Sequence, residues 1–257
     1  TLGFIAPDSG EKLFLFATNY SAVYDGLVLK KRAPGSSPAG MGTWLVPDAP
    51  TPGAAHHFAL HTELVINEIM YNHQDFPAAD TNSLPQSNPE EWIELYNRSA
   101  SPADLTGWTL SGGISYSFTA GQTIAPGGYL VVAKDAGTLH TAYPAVDIVG
   151  NYSGKLGGDD TIILNDPLGN PANQVHYYDG GRWPESAGGG GSSLELRDPK
   201  ADNAKAEAWA PSREAGKSTW QTYTYRMVAQ ASATPDPDNQ WHDFVMGLLS
   251  DGECYVD

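Results

Sequence analysis

The sequence predicts an all-β protein built as a β-sandwich, and three observations carry that expectation. Two apolar-rich runs, Leu64–Tyr71 and Glu91–Tyr96, hold Ile, Val, Trp and Tyr at strand-like density on either side of a loop rich in Asn, Asp, Pro and Ser. Within the second run Ile93 and Leu95 fall on one side while Trp92, Glu94 and Tyr96 fall on the other, the period-2 pattern of a half-buried strand. Composition agrees: Gly 28 and Pro 19 with 17% charged residues suit a turn-rich β chain, and 40% hydrophobic residues suffice for a core.

Taken in order, residues 1–58 open with two short strands, Lys12–Phe16 and Val23–Leu29, joined by ATNYSA. An internal repeat gives them meaning. SGEKLFLFATNYSAVYDGLVL at 9–29 aligns without gaps on GGDDTIILNDPLGNPANQVHY at 157–177, and 43–54 matches 193–204 after a two-residue shift. Residues 1–58 are therefore expected to be the last strands of a preceding domain of the same kind. A lone hairpin is marginal in water, so these strands should pair with something. Residues 59–62 form a short linker, and 63–205 a complete sandwich. Asp104-Leu-Thr-Gly-Trp108 reads as a tight turn, because Asp bonds the amides ahead of it and Gly107 takes positive φ. Ser115–Phe118 and Gly128–Lys134 are strands on either side of the turn at 125–128. Asp135–Tyr143 is the one helix, about two turns long and ended by Pro144. Asp160–Asn165 and Asn173–Tyr178 form a closing hairpin, and the glycine run before Leu194 and Leu196 is an irregular loop. Residues 206–257 change character: WQTYTYRM at 220–227 alternates aromatic and polar side chains, and Trp241–Leu248 and Glu253–Val256 are further strand candidates.

An ordered series of motifs carries a family resemblance. NEI at 67–69, EWIELYN at 91–97, DLTGWTL at 104–110, GYLVVAKD at 128–135, GGDDTIILND at 157–166 and NQVHYYD at 173–179 together resemble the lamin-tail domain. The resemblance implies an immunoglobulin-like sandwich of the kind found in nuclear lamins and in secreted bacterial proteins. Its flavour is bacterial and extracellular. WHDFVMGLLSDGECYVD at 241–257 resembles the opening strands of a galactose-binding-like jelly roll, which makes 206–257 the start of another domain. Fold follows from such a resemblance; activity does not, since this fold hosts several.

Charge and cysteine content narrow the function classes. A net charge of −16 opposes nucleic-acid binding, which needs clustered cations, and Lys30-Lys31-Arg32 is the one basic cluster. The single cysteine, Cys254, allows no disulfide within the chain. No apolar run approaches the roughly 18 residues that span a membrane. The chain opens on Thr1 rather than Met and reads as a processed piece or a fragment.

No nucleophile elbow, zinc-protease helix, paired CxxC, P-loop or Rossmann fingerprint occurs, so a non-catalytic chain is expected. Oxygen-rich loops in an acidic chain would suit Ca²⁺, and Asp159, Asp160 and Asp166 are the candidate ligands, with Asp236 and Asp238 a second set beside Asn239. Asp75, Asp80 and Asn82 lie in the long insertion. None has the spacing of a known Ca²⁺ loop, and ordinary turn chemistry is the preferred account of them. His56, His57 and His61 form an HHxxxH cluster in linker-like sequence. Sugars stack on exposed aromatic faces, and Tyr177, Tyr178, Trp183, Trp220, Tyr223 and Tyr225 are the candidate platform, against a packing role for the same rings. Trp92, Trp108 and Trp209 are assigned to the core. The chain is thus expected to be a structural or adhesive segment of a secreted or cell-surface protein, its partners being other domains or neighbouring copies met through strand pairing. The alternative is a carbohydrate-binding accessory module whose partners are glycans.

Overall fold

The computed structural model describes residues 11–29, 35–37, 43–51, 54–73 and 89–213. The strand candidates at 220–227, 241–248 and 253–256, and with them the jelly-roll resemblance, lie outside the described residues. Two hairpins come first: β1 (Glu11–Phe16) with β2 (Val23–Leu29), and β3 (Gly35–Ser37) with β4 (Thr43–Leu45), each a two-stranded antiparallel sheet.

The sandwich follows. Its strands are β5 (Leu64–Met70), β6 (Trp92–Asn97), β7 (Ala103–Asp104), β8 (Thr109–Gly112), β9 (Ile114–Ser117), β10 (Thr123–Ile124) and β11 (Tyr129–Ala133). After the helix α1 (Ala136–Ala142) come β12 (Ile148–Gly150), β13 (Ser153–Gly154), β14 (Asp159–Asn165), β15 (Pro171–Tyr178), β16 (Leu194–Leu196) and β17 (Trp209–Pro211). One sheet has six strands in the order β12-β11-β6-β5-β16-β17, the other five in the order β13-β9-β8-β14-β15, and β7 pairs with β10 at one end. All pairings are antiparallel except β11 with β12, which helix α1 links as a short crossover. This is an all-β, immunoglobulin-like sandwich.

Alternation decides what each sheet buries. Ile69, Ile93, Leu95, Leu130 and Val132 project from the six-stranded sheet onto Leu110, Ile162, Leu164 and Val175 of the other, forming one core. Each such side chain contributes about 1.5–3 kcal/mol by leaving water. Trp108 and Trp209 lie in that core as expected. Trp92 does not. Its even position in β6 faces outward, where it packs beside Val131, Ala133 and Leu139 under helix α1. Asp135 caps this helix by accepting from the Thr138 amide at 2.9 Å, and Pro144 follows its end.

Buried polar side chains hold the loops to this core. Asn97 is wholly buried; its Nδ2 donates to the Ser101 and Ile124 carbonyls at 2.8 and 3.0 Å, and its Oδ1 accepts from Ser99 N and Oγ. Register between β5 and β6 shifts between Ile66 and Glu68. Asn173 of the opposite sheet serves this bulge, its Oδ1 accepting from the Ile66 amide at 2.9 Å and from Asn203 Nδ2 at 2.8 Å. No helix among the described residues is long and apolar enough to cross a membrane.

Replacing Asn97 by Ala strands two carbonyls and the Ser99 donors. We expect a stability loss of roughly 2 kcal/mol or more, read as a lower urea midpoint at unchanged m-value.

Candidate functional site

The aromatic platform is only partly a surface. Tyr177 is 0% exposed and Trp183 is 8% exposed, so both are corrected from platform to core. The cause is register: Tyr177 follows Val175 on the inward face of β15, and Trp183 packs edge-on against it at 6.5 Å and against Trp209 at 6.1 Å. Tyr178, one residue on, faces outward, 42% exposed and stacked on His176 at 4.6 Å. Trp220, Tyr223 and Tyr225 lie outside the described residues.

The acidic candidates are dispersed. Asp159 pairs with His176 Nε2 at 2.8 Å. Asp166 is buried and serves its own hairpin turn, accepting from the Leu168 and Asn170 amides at 2.8 Å each and from Asn170 Nδ2 at 3.1 Å. That is turn chemistry. Asp236, Asp238, Asp75, Asp80 and Asn82 lie outside the described residues. The histidines do not converge: His56 bonds Thr51 Oγ1 at 2.7 Å, His57 contacts the Asp48 carboxylate, and His61 bonds Glu63 Oε1 at 2.6 Å with its ring edge against Trp108. Among the described residues no three His, Cys, Asp or Glu side chains gather in a metal-binding group.

Asp160 is different, and it leads to a cleft. It continues the inward register of Ile162 and Leu164 and stands opposite Tyr177 across the β14–β15 pair. From the other sheet Tyr71 continues the inward register of Ile69, and its ring lies 4.9 Å from that of Tyr177. Two tyrosines thus close one end of the core, and there a cleft of about 370 Å³ is lined by Tyr71, Asn72, Asp160, Asp179 and the 155–158 loop. The Tyr71 and Tyr177 hydroxyls are buried and have no hydrogen-bond partner among the described residues. Burial, with the Asp179 charge added, pushes the Tyr71 hydroxyl up to about 12. Burial, then Asp160, Tyr71 and Glu91, raises that of Tyr177. Both remain neutral donors at physiological pH.

The wall of this cleft is fixed from three directions. Buried Glu91 accepts from the Leu156 amide at 2.9 Å and from Tyr152 Oη at 3.2 Å. Asp160 Oδ2 accepts from the Gly157 amide at 3.2 Å, and the Asp179 amide donates to the Gly158 carbonyl at 2.6 Å. Two glycines leave room for these carboxylates where they stand. A Cβ at Gly158 would stand 2.3 Å from Asp179 Oδ2, and one at Gly113 only 2.0 Å from Asp160 Oδ2. A second hollow, of about 520 Å³, shares Asp179 with this cleft and runs past Tyr178, Arg182 and Glu207. Sequence reading found Asp160 but missed Tyr71 and Asp179. An ionisable residue at an inward strand position is the signal that would have pointed here.

The outer face of the six-stranded sheet carries a second acidic feature. Glu94, Glu68 and Glu195 stand opposite one another across β6, β5 and β16. Asn67 Nδ2 donates to Glu94 Oε1 at 2.9 Å, and Ser193 Oγ bonds Glu68. Burial raises the Glu94 pKa, the Asn67 bond opposes it, and the Glu195 carboxylate adds to it.

These strands and their order define the class, an immunoglobulin-like β-sandwich whose buried polar groups serve loops and one terminal cleft. Residues 59–179 match the family model of the Lamin Tail Domain, a family of non-enzymatic immunoglobulin-like domains. The match ends at Asp179, so β16 and β17 complete the six-stranded sheet from beyond it. No curated protein matches the chain.

Because the folded pKa of Glu94 lies above its unfolded value, the stability it contributes is present in acid and lost as pH rises through that folded value. At neutral pH its ionised form opposes folding. Glu94→Gln keeps an acceptor for Asn67 and is expected to raise the thermal midpoint at pH 7. The gain should vanish near pH 4, as differential scanning calorimetry at both values would register.

Proposed function

We propose that this chain is a structural segment of a secreted or cell-surface bacterial protein, in which sandwich units are coupled in series and join neighbours through strand pairing. The observation that supports it is a clamp. The Asn170 side chain, in the β14–β15 turn, accepts from the Val46 amide at 2.6 Å and donates to the Val46 carbonyl at 2.9 Å. One amide side chain thereby takes both backbone groups of one residue, as a neighbouring strand would. Further ties run alongside: Arg98 donates to the Thr62 carbonyl at 2.5 Å and to the Pro199 carbonyl at 2.9 Å, and His61 abuts Trp108. The segment ahead of the sandwich is therefore bound to it, which suits a load-carrying connection better than a free linker.

Beyond this strap stands the β1–β2 hairpin, whose strands have each other as ladder partners and whose Phe14 and Phe16 are 49% and 41% exposed. A two-stranded ribbon with exposed aromatics favours strand addition. Its two strands fall where the sequence repeat aligns them with β14 and β15, which supports a second unit of the same kind. The glycan-platform alternative is weakened, since Tyr177 and Trp183 are buried.

Two outcomes are expected. Asn170→Ala should speed hydrogen exchange at the Val46 amide by about fivefold or more, the loss of one hydrogen bond, and unchanged exchange would show that the clamp carries nothing. In sedimentation velocity the chain should associate as its concentration rises. A monodisperse monomer throughout, with residues 11–29 resistant to protease, would exclude pairing between copies.

A further inference from the structure

We propose that the cleft between Tyr71, Asp160 and Asp179 is a binding site for a neutral polyhydroxylated ligand, a single sugar ring. The site is separate from the aromatic platform, and the inference does not depend on the structural role above.

Tyr71 and Tyr177 are 3% and 0% exposed, and each buries a hydroxyl with no hydrogen-bond partner among the described residues. An unpaired buried hydroxyl is costly, and native proteins keep few of them without a purpose. Tyr71 lines the cleft directly, with the Tyr177 ring tilted against it at 4.9 Å. Asp160 and Asp179 bring carboxylate acceptors, Asn72 an amide and Lys155 an ammonium. The acceptors are placed deliberately. Asp160 occupies an inward strand position that patterning assigns to an apolar residue, and each carboxylate packs into space that the absent Cβ of Gly113 or Gly158 leaves open.

Charge then selects the ligand class. An anion would meet Asp160 and Asp179, with Glu91 close behind the 155–158 loop. A metal cation would meet the Lys155 ammonium and a Tyr71 hydroxyl held protonated by its surroundings. A large apolar group would leave the carboxylates unpaired. Vicinal hydroxyls satisfy every group at once, each donating to a carboxylate while accepting from a tyrosine, an amide or the lysine. A cleft of about 370 Å³ lies at the small end of ligand sites and suits one ring rather than a chain.

Saturation-transfer difference NMR on the whole chain tests this, with the methyl glycosides of glucose, galactose, mannose and N-acetylglucosamine as probes. At least one should receive magnetisation and shift the Gly157 and Gly158 amide resonances. Tyr71→Phe and Asp179→Asn leave the backbone bonds of the wall in place, and each should weaken that probe by about fivefold or more. An oligosaccharide ending in the same ring distinguishes a glycan terminus from a free sugar, and binding of either form supports the site. Absence of transfer from all four probes would overturn the proposal. So would binding that both variants leave unchanged, or Gly157 and Gly158 resonances that do not move. A Tyr71→Phe protein of diminished stability that accompanies such silence would assign the hydroxyl to a bound water only.

Discussion

The strand β6 is the constraint on which the rest of the molecule depends. It is central in the six-stranded sheet, between β5 and β11, and its alternation sends Ile93 and Leu95 into the core. Its two ends are polar and buried. Glu91 precedes it and holds Tyr152 and the Leu156 amide; Asn97 ends it and holds the carbonyls of Ser101 and Ile124. One short strand therefore fixes the loops at both ends of the sandwich through groups that would be costly to bury unpaired. Loss of Glu91 would release the loop leading into β14 of the opposite sheet, and loss of Asn97 the loops that carry the β7–β10 pair.

A similar economy connects the two sheets and the segment ahead of them. Asn173 reaches from β15 to the bulge in β5, Asn203 closes the same network, and the Trp209 Nε1 donates to the Asn203 carbonyl at 2.9 Å. Asn170 repeats the device on Val46. Asparagine suits these places because one planar amide supplies a donor and an acceptor with the spacing of a backbone pair. The sandwich is held at its open margins by side chains that imitate strands.

The terminal cleft departs from this pattern. Among the described residues three buried side-chain polar atoms lack a partner: Asn67 Oδ1 on the outer face, and the Tyr71 and Tyr177 hydroxyls, which stand together beside carboxylates fitted over glycines. Deviation from local rules concentrated in one place is what separates a site from scaffold. The Glu68–Glu94–Glu195 ladder departs in a milder way, since Asn67 and Ser193 already engage two of its members.

Local pattern alone determined most of the fold. The alternation of EWIELY, the Asp104–Gly107 turn, the capped helix after Asp135 and the closing hairpin all depend on neighbours within a few residues, and the structure holds them at Trp92–Asn97, at Gly107 with φ of +79°, at Ala136–Ala142 and at 159–178. Sequence also placed Trp108 and Trp209 in the core. It could not place Tyr177 and Trp183, because whether a ring faces core or solvent turns on a one-residue register against a distant strand. For the same reason Trp92 passed from the core to the space beneath helix α1. The partnership of Tyr71 with Asp160 and Asp179, and of Asn170 with Val46, joins residues about a hundred positions apart in the chain. Only the stacking of two sheets brings such residues together, and no local preference records it.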